Sequence, residues 1–181
     1  MPAEAHAQLA KLGYTLPQPP TPGANYVAAK TVGHLVYLAG VISMIDGAVI
    51  TGTVGAGRTT EEGYAAARAC TLSQLAVLKR HLGSLDKIKQ IVTVNGYVNA
   101  VAGFEDSPKV INGASDLLLE IFGEAGRHVR AARRAETGAG RPRPTPEAAR
   151  VGRGRRRHDP RHRHRGDAKR PPPRNARANS A

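Results

Sequence analysis

The chain has 181 residues, room for one domain with an appendage. Its formal net charge of +13 divides unevenly: residues 1–130 carry 11 basic and 10 acidic side chains, residues 131–181 carry 16 and 4. The near-neutral body argues against a nucleic-acid binder built on a basic folded surface, and the single cysteine, Cys70, excludes an internal disulfide framework.

Taken in chain order, Ala3 to Leu12 reads as a short helix stopped by Gly13. Four prolines between Leu16 and Gly23 make an extended connector. Tyr26–Lys30 and His34–Ala39 follow as two strands. Val41–Ile45 and Ala48–Thr51 flank Asp46-Gly47, a pair suited to a tight hairpin turn. The clearest helix starts at Thr59, an N-cap with Glu62 three positions on to complete a capping box. Its apolar positions Ala65, Ala69, Leu72, Leu75, Ala76 and Leu82 recur at helical spacing, and Gly83 ends it. Ile88–Val98 reads as a strand. Ser107-Pro108 reads as the cap and first turn of a further helix through Phe122, ended by Gly123 and Gly126. From His128 an extended segment begins and is expected to stop short of a strand. The order implies an α+β fold, with helices on one face of a mixed sheet.

Residues 131–181 contain one residue from the set Val, Ile, Leu, Met, Phe, Tyr and Cys, namely Val151. So little apolar surface cannot offset ordering entropy of ~1–2 kcal/mol per residue, so a disordered tail is expected. Leu35 to Ile45, the longest apolar stretch, is far short of the ~20 residues that span a bilayer. With no basic-then-apolar leader at the N-terminus, a cytoplasmic protein without membrane contact is expected.

Candidate chemistry is sparse. His158, His162 and His164 cluster in the tail, but arginines surround them and would repel a cation, so a solvated coil is the better reading. His6, His34, His81 and His128 are scattered without metal-ligand spacing, and no metal site is assigned. Cys70 lies mid-helix among small residues and reads as a buried hydrophobe, with Arg68 projecting about 200° away around the helix. The glycine-rich run 51–57 lacks the Lys-Ser/Thr of a phosphate loop and reads as a connector. Asp106, Asp116, Glu120 and Glu124 are placed on the exposed side of the second long helix. Tail arginines, among them Arg133, Arg134 and those between 153 and 165, have no interleaved aromatics, which limits them to non-specific nucleic-acid contact.

Two segments carry a resemblance: Ile91 to Asn99 (IVTVNGYVN) and Lys109 to His128 (KVINGASDLLLEIFGEAGRH). With Pro22-Gly23-Ala24-Asn25-Tyr26, Leu38-Ala39-Gly40 and the helix start Glu62-Gly63-Tyr64, they make the chain resemble the RidA/YjgF family over roughly Leu12 to Arg130. The resemblance implies a chorismate-mutase-like α+β fold, two helices on one face of the sheet, and a homotrimer with clefts between subunits. It implies hydrolytic deamination of reactive enamine or imine intermediates, of the 2-aminoacrylate type, to a 2-keto acid and ammonia, with no cofactor. Arg130 matches the family's catalytic, carboxylate-gripping arginine, and Tyr26 matches a tyrosine lining the same cleft. A non-catalytic metabolite-binding or regulatory trimer, and a ribonuclease or translation inhibitor, are the alternatives.

The chain departs from the family pattern at Val41-Ile42-Ser43, where many members have Gln-Ile-Pro, and after Ala132, where the last strands and the cleft glutamate are missing. Arg, Ala, Pro and Gly make up 37 of the last 51 residues but 45 of the first 130, which is the mark of GC-rich coding sequence read out of frame. The sequence is therefore expected to divide into an incomplete RidA-like domain, 1–130, and an out-of-frame tail, 131–181, with a genuine tail function as the alternative. Poor trimer formation and impaired turnover are expected of it.

Overall fold

The computed structural model describes residues 5–135. In chain order these form helix α1 (Ala5–Lys11), hairpin β1 (Ala29–Val32) and β2 (Leu35–Leu38), and hairpin β3 (Met44–Ile45) and β4 (Ala48–Val49). Then come β5 (Thr53–Val54), β6 (Gly57–Arg58), the long helix α2 (Thr60–Leu82), β7 (Thr93–Asn99), α3 (Ser107–Phe122) and β8 (Val129–Ala135). The α+β class and the helix order are as expected. The single mixed sheet is not: among the described residues the strands form four separate two-stranded ladders. β1–β2 and β3–β4 are antiparallel, while β5–β6 and β7–β8 are parallel.

Local chemistry sets the element ends. At the tip of the second hairpin Asp46 (φ 50°) and Gly47 (φ 80°) both take positive φ, as a two-residue turn matched to strand twist requires. At the start of α2 the Thr59 hydroxyl accepts from the Glu62 amide at 3.2 Å, and the Glu62 carboxylate accepts from the Thr59 amide at 2.8 Å. Thr59→Ala removes one half of this reciprocal cap. It is expected to cost about 1 kcal/mol in urea unfolding. α3 starts differently from the sequence expectation. Asp106, not Ser107, occupies the cap, and Ser107 is buried in the first turn with no partner for its hydroxyl.

Two apolar clusters hold the elements together. Leu9 of α1, Leu75 and Leu78 of α2, and Leu117, Leu118 and Ile121 of α3 meet Leu85 and Ile88 in the first. Val54, Ala67, Val98, Val110, Ile111 and Ala114 form the second. Full burial of each Leu or Ile contributes ~1.5–3 kcal/mol. α3 is the more plainly amphipathic helix, with Val110, Ile111, Ala114, Leu117, Leu118 and Ile121 all buried on one stripe. On α2 the buried positions are mostly small, and Ala67 takes the place expected of Ala65, which is exposed. Ile88 and Ile91, expected in the strand, precede it: Leu85–Lys87 makes a 3₁₀ turn, and β7 begins at Thr93.

The segment after His128 does become a strand. β8 pairs with β7 over seven rungs, from Thr93↔Val129 to Asn99↔Ala135. Ala131 and Ala132 have little to bury, but β7 supplies ladder partners for the backbone groups on the side that faces it, which tail composition does not reveal. The strand carries the body five residues past Arg130, and it places Arg133 opposite Tyr97 and Arg134 opposite Val98. The remaining tail residues, including His158, His162 and His164, lie outside the described residues. Away from the helices the ladders leave Val32, Tyr37, Tyr97 and Val129 exposed, the last two at about 70 %.

Candidate functional site

The placement of α3 decides where its polar face points. Three glycines let it sit close to its neighbours. A Cβ on Gly113 would overlap the Tyr64 carbonyl of α2, one on Gly126 would overlap the Leu118 carbonyl, and one on Gly96 would overlap the Ile111 side chain. α3 is therefore pressed against α2 on one side and against β7 on the other. Asn112 and Ser115, one turn apart and so on one face, are carried to the side where β8 runs.

There they meet Arg130. Arg130 is paired in register with Val94, whose side chain packs into the core, and parallel partners share a face of the ladder. From that position the guanidinium reaches α3. One terminal nitrogen, Nη1, donates to Asn112 Oδ1 at 2.8 Å and to Ser115 Oγ at 3.0 Å. Both hydrogens of Nη1 are thereby used. Nε and Nη2, which form the planar fork that matches a carboxylate, have no partner among the described residues. Both acceptors are neutral, and no carboxylate of the described residues pairs with Arg130, so its charge is uncompensated. His128 extends the cluster, its Nε2 lying 3.0 Å from Ser115 Oγ and its Nδ1 2.7 Å from the Gly126 carbonyl.

Tyr26 sits elsewhere on the chain. It lines a groove of about 280 Å³ with Pro22, Gly23, Ala39, Gly40, Val41 and Met44, and its side chain is half exposed. Arg130 is not among the residues that line this groove. Sequence reasoning missed Asn112, Ser115 and His128. The signal was available in the i, i+3 spacing of Asn112 and Ser115 on one face of the helix, ahead of the arginine.

The other candidates resolve into structure. Cys70 is mostly buried, and burial pushes its thiol up to about 11. Its Sγ lies 3.9 Å from the Val41 carbonyl, consistent with a packed, unreactive thiol. With the folded value above the ordinary 9.0, the thiol's contribution to stability is complete below pH 9 and is lost as pH rises toward 11. At pH 8 about one thiol in a thousand is ionised, so labelling of the folded chain by a disulfide reagent is expected to be far slower than in urea. Equal rates would show Cys70 to be activated.

Asp116, expected to be exposed, is half-buried, while Glu120 is exposed as expected; both join the two long helices. Tyr64 donates to Asp116 Oδ2 at 2.9 Å, and Arg68 Nη2 meets Glu120 Oε2 at 2.6 Å. The Glu120 carboxylate, more than the Tyr14 and Tyr64 hydroxyls that also accept from it, raises the pKa of Arg68. Burial, reinforced by Asp116, raises that of Tyr64. Arg68 also stacks over Tyr14, with 5.3 Å between Cζ and the ring centroid. This cluster is a clamp between α2 and α3, with every member paired. Among the described residues no group of three or more His, Cys, Asp or Glu could hold a metal ion, and no helix is long and apolar enough to cross a membrane.

A parallel β-strand carries an arginine without a carboxylate partner against Asn112 and Ser115 of a helix, within an α+β domain. Residues 6–136 match the model of the YjgF/chorismate mutase-like, "putative endoribonuclease" family, and the chain belongs to that family. The match reaches past Arg130 through β8. Protein TCP17 of Trypanosoma cruzi is 42 % identical over 128 residues, 70 % of this chain and 80 % of that protein. The crystal structure of a "putative endoribonuclease" of Shewanella oneidensis MR-1 superimposes with a TM-score of 0.70 at 39 % identity, over 72 % of this chain and 87 % of that one. Atu1372 of Agrobacterium tumefaciens, a protein of unknown function, gives 0.67 at 38 % identity, over 73 % and 82 %.

Proposed function

We propose that the chain binds small 2-imino and 2-oxo acids through Arg130 and hydrolyses the imines to 2-keto acid and ammonia. The observation that carries this reading is the split use of the guanidinium. Nη1 is tied to two neutral acceptors, while the Nε/Nη2 fork and the positive charge remain available to a carboxylate. The chemistry asks little more than placement. Water adds its oxygen to the imine carbon, the C–N bond breaks, and the water protons leave on nitrogen as ammonia. An imine carbon is already electrophilic, so no cofactor is needed, and holding the carboxylate fixes where that carbon stands.

Tyr26 completes the reading if the cleft lies between subunits, with the tyrosine of one copy facing the arginine of another. Family membership and the exposed Val32, Tyr37, Tyr97 and Val129 support such an assembly. The deciding experiment generates 2-iminopropanoate in situ with an amino-acid oxidase and follows ammonia release. Release faster than the spontaneous rate supports the deaminase. A rate equal to the blank, with pyruvate still bound, would leave a metabolite-binding protein. RNA cleavage without imine turnover would favour the ribonuclease that the name of the Shewanella protein indicates.

A further inference from the structure

We propose that Ser115 and His128 are positioning residues that orient Arg130; this rests on the reading of Arg130 as the carboxylate grip. The hydrogen bonds have one consistent direction. The Gly126 carbonyl only accepts, so His128 carries a proton on Nδ1 and donates it across 2.7 Å. In the neutral ring Nε2 is then an acceptor, and the Ser115 hydroxyl 3.0 Å away donates to it. With its proton so committed, Ser115 Oγ turns its lone pairs to the Arg130 Nη1 hydrogen at 3.0 Å. The chain therefore runs from Arg130 to Ser115 to His128 to the main chain, all donors aligned. Its far end is closely packed: Gly126 is buried with no room for a Cβ against Leu118.

An exposed arginine otherwise samples many rotamers, and a ligand must freeze them on binding. Asn112 alone makes one bond and leaves rotation about it. Ser115 supplies the second point, and His128 decides which way the Ser115 hydroxyl faces. Both residues are half-buried, with Arg130 at the surface beyond them, so they act through the arginine and not on the ligand.

The test is a double-variant cycle on the full chain, with pyruvate as the probe and calorimetric affinity as the readout. Ser115→Ala is expected to weaken pyruvate about tenfold, and His128→Ala several-fold. The double variant should be no weaker than Ser115→Ala, since His128 works only through the serine. Ser115→Thr keeps the hydroxyl, and His128→Gln keeps an acceptor at the Nε2 position. Both should stay within about twofold of the parent, with thermal midpoints of all variants alike. Wild-type affinity in Ser115→Ala, alongside loss in Arg130→Ala, would overturn the positioning role and leave the carboxylate grip standing. Single effects that multiply in the double variant would also overturn it. Wild-type affinity in Arg130→Ala would overturn the grip, and the positioning role with it.

Discussion

Replacing Arg130 with lysine is expected to lower kcat/KM for 2-iminopropanoate on the order of 100-fold while leaving the thermal midpoint within about 2 °C of the parent. Lysine keeps the charge but is a compact cation on a flexible stem. It can sit on Asn112 and Ser115 or face the substrate, but it has no second planar edge with which to do both. Most of the loss should appear in KM if the fork only holds the ground state, and in kcat if the grip tightens as carbon becomes tetrahedral. Stability should barely change, because Arg130 is exposed and its two partners are only half-buried, so water can replace it. Parent-like turnover in Arg130→Lys would mean that charge alone suffices and that the fork geometry is incidental.

Gly113→Ala is expected to destabilise the chain by about 3 kcal/mol or more in urea unfolding, and here two effects compete. Inside a helix, Gly→Ala ordinarily stabilises by up to about 1 kcal/mol, because alanine has less backbone freedom to lose. At Gly113 the new methyl would be driven into the Tyr64 carbonyl, a backbone atom of α2 that cannot swing aside. Overlap should win, and α3 would have to lift from α2. That shift would break the Tyr64–Asp116 and Arg68–Glu120 bridges together. Gly63 provides the comparison: its Cβ would meet the Val110 and Val54 side chains at 3.1–3.2 Å, a contact that rotamer adjustment can relieve. Gly63→Ala should cost clearly less. Equal effects at the two positions would assign the penalty to the loss of glycine itself.

The sequence told most about what is local. The capping box at Thr59 and Glu62, the Asp46-Gly47 turn and the stop at Gly83 depend on a few neighbouring residues, and each formed as expected. The family motifs were likewise carried by contiguous runs. Features that depend on distant partners could not be read this way. Val129–Ala135 has the composition of a tail, yet it is a strand because β7 offers it a ladder. Asp116 looks like a solvent-facing carboxylate until α2 places Tyr64 against it, and the exposed Glu120 is paired only because the same helix brings Arg68 to it. The cluster around Arg130 joins residues 15 and 18 positions apart, across a helix-to-strand contact that Gly96 keeps close.

An arginine held by uncharged neighbours does not discriminate strongly among the anions that can satisfy it. Inorganic phosphate and sulfate present the same pair of oxygens as a 2-oxo acid, and on an exposed guanidinium nothing excludes them by size. At ordinary ionic strength, screening damps attraction beyond ~8 Å but spares the contact pair, so salt in general should matter less than the identity of the buffer ion. If Arg130 is the carboxylate grip, affinity or turnover followed in phosphate should under-report it, and a zwitterionic buffer free of oxyanions should restore the full signal.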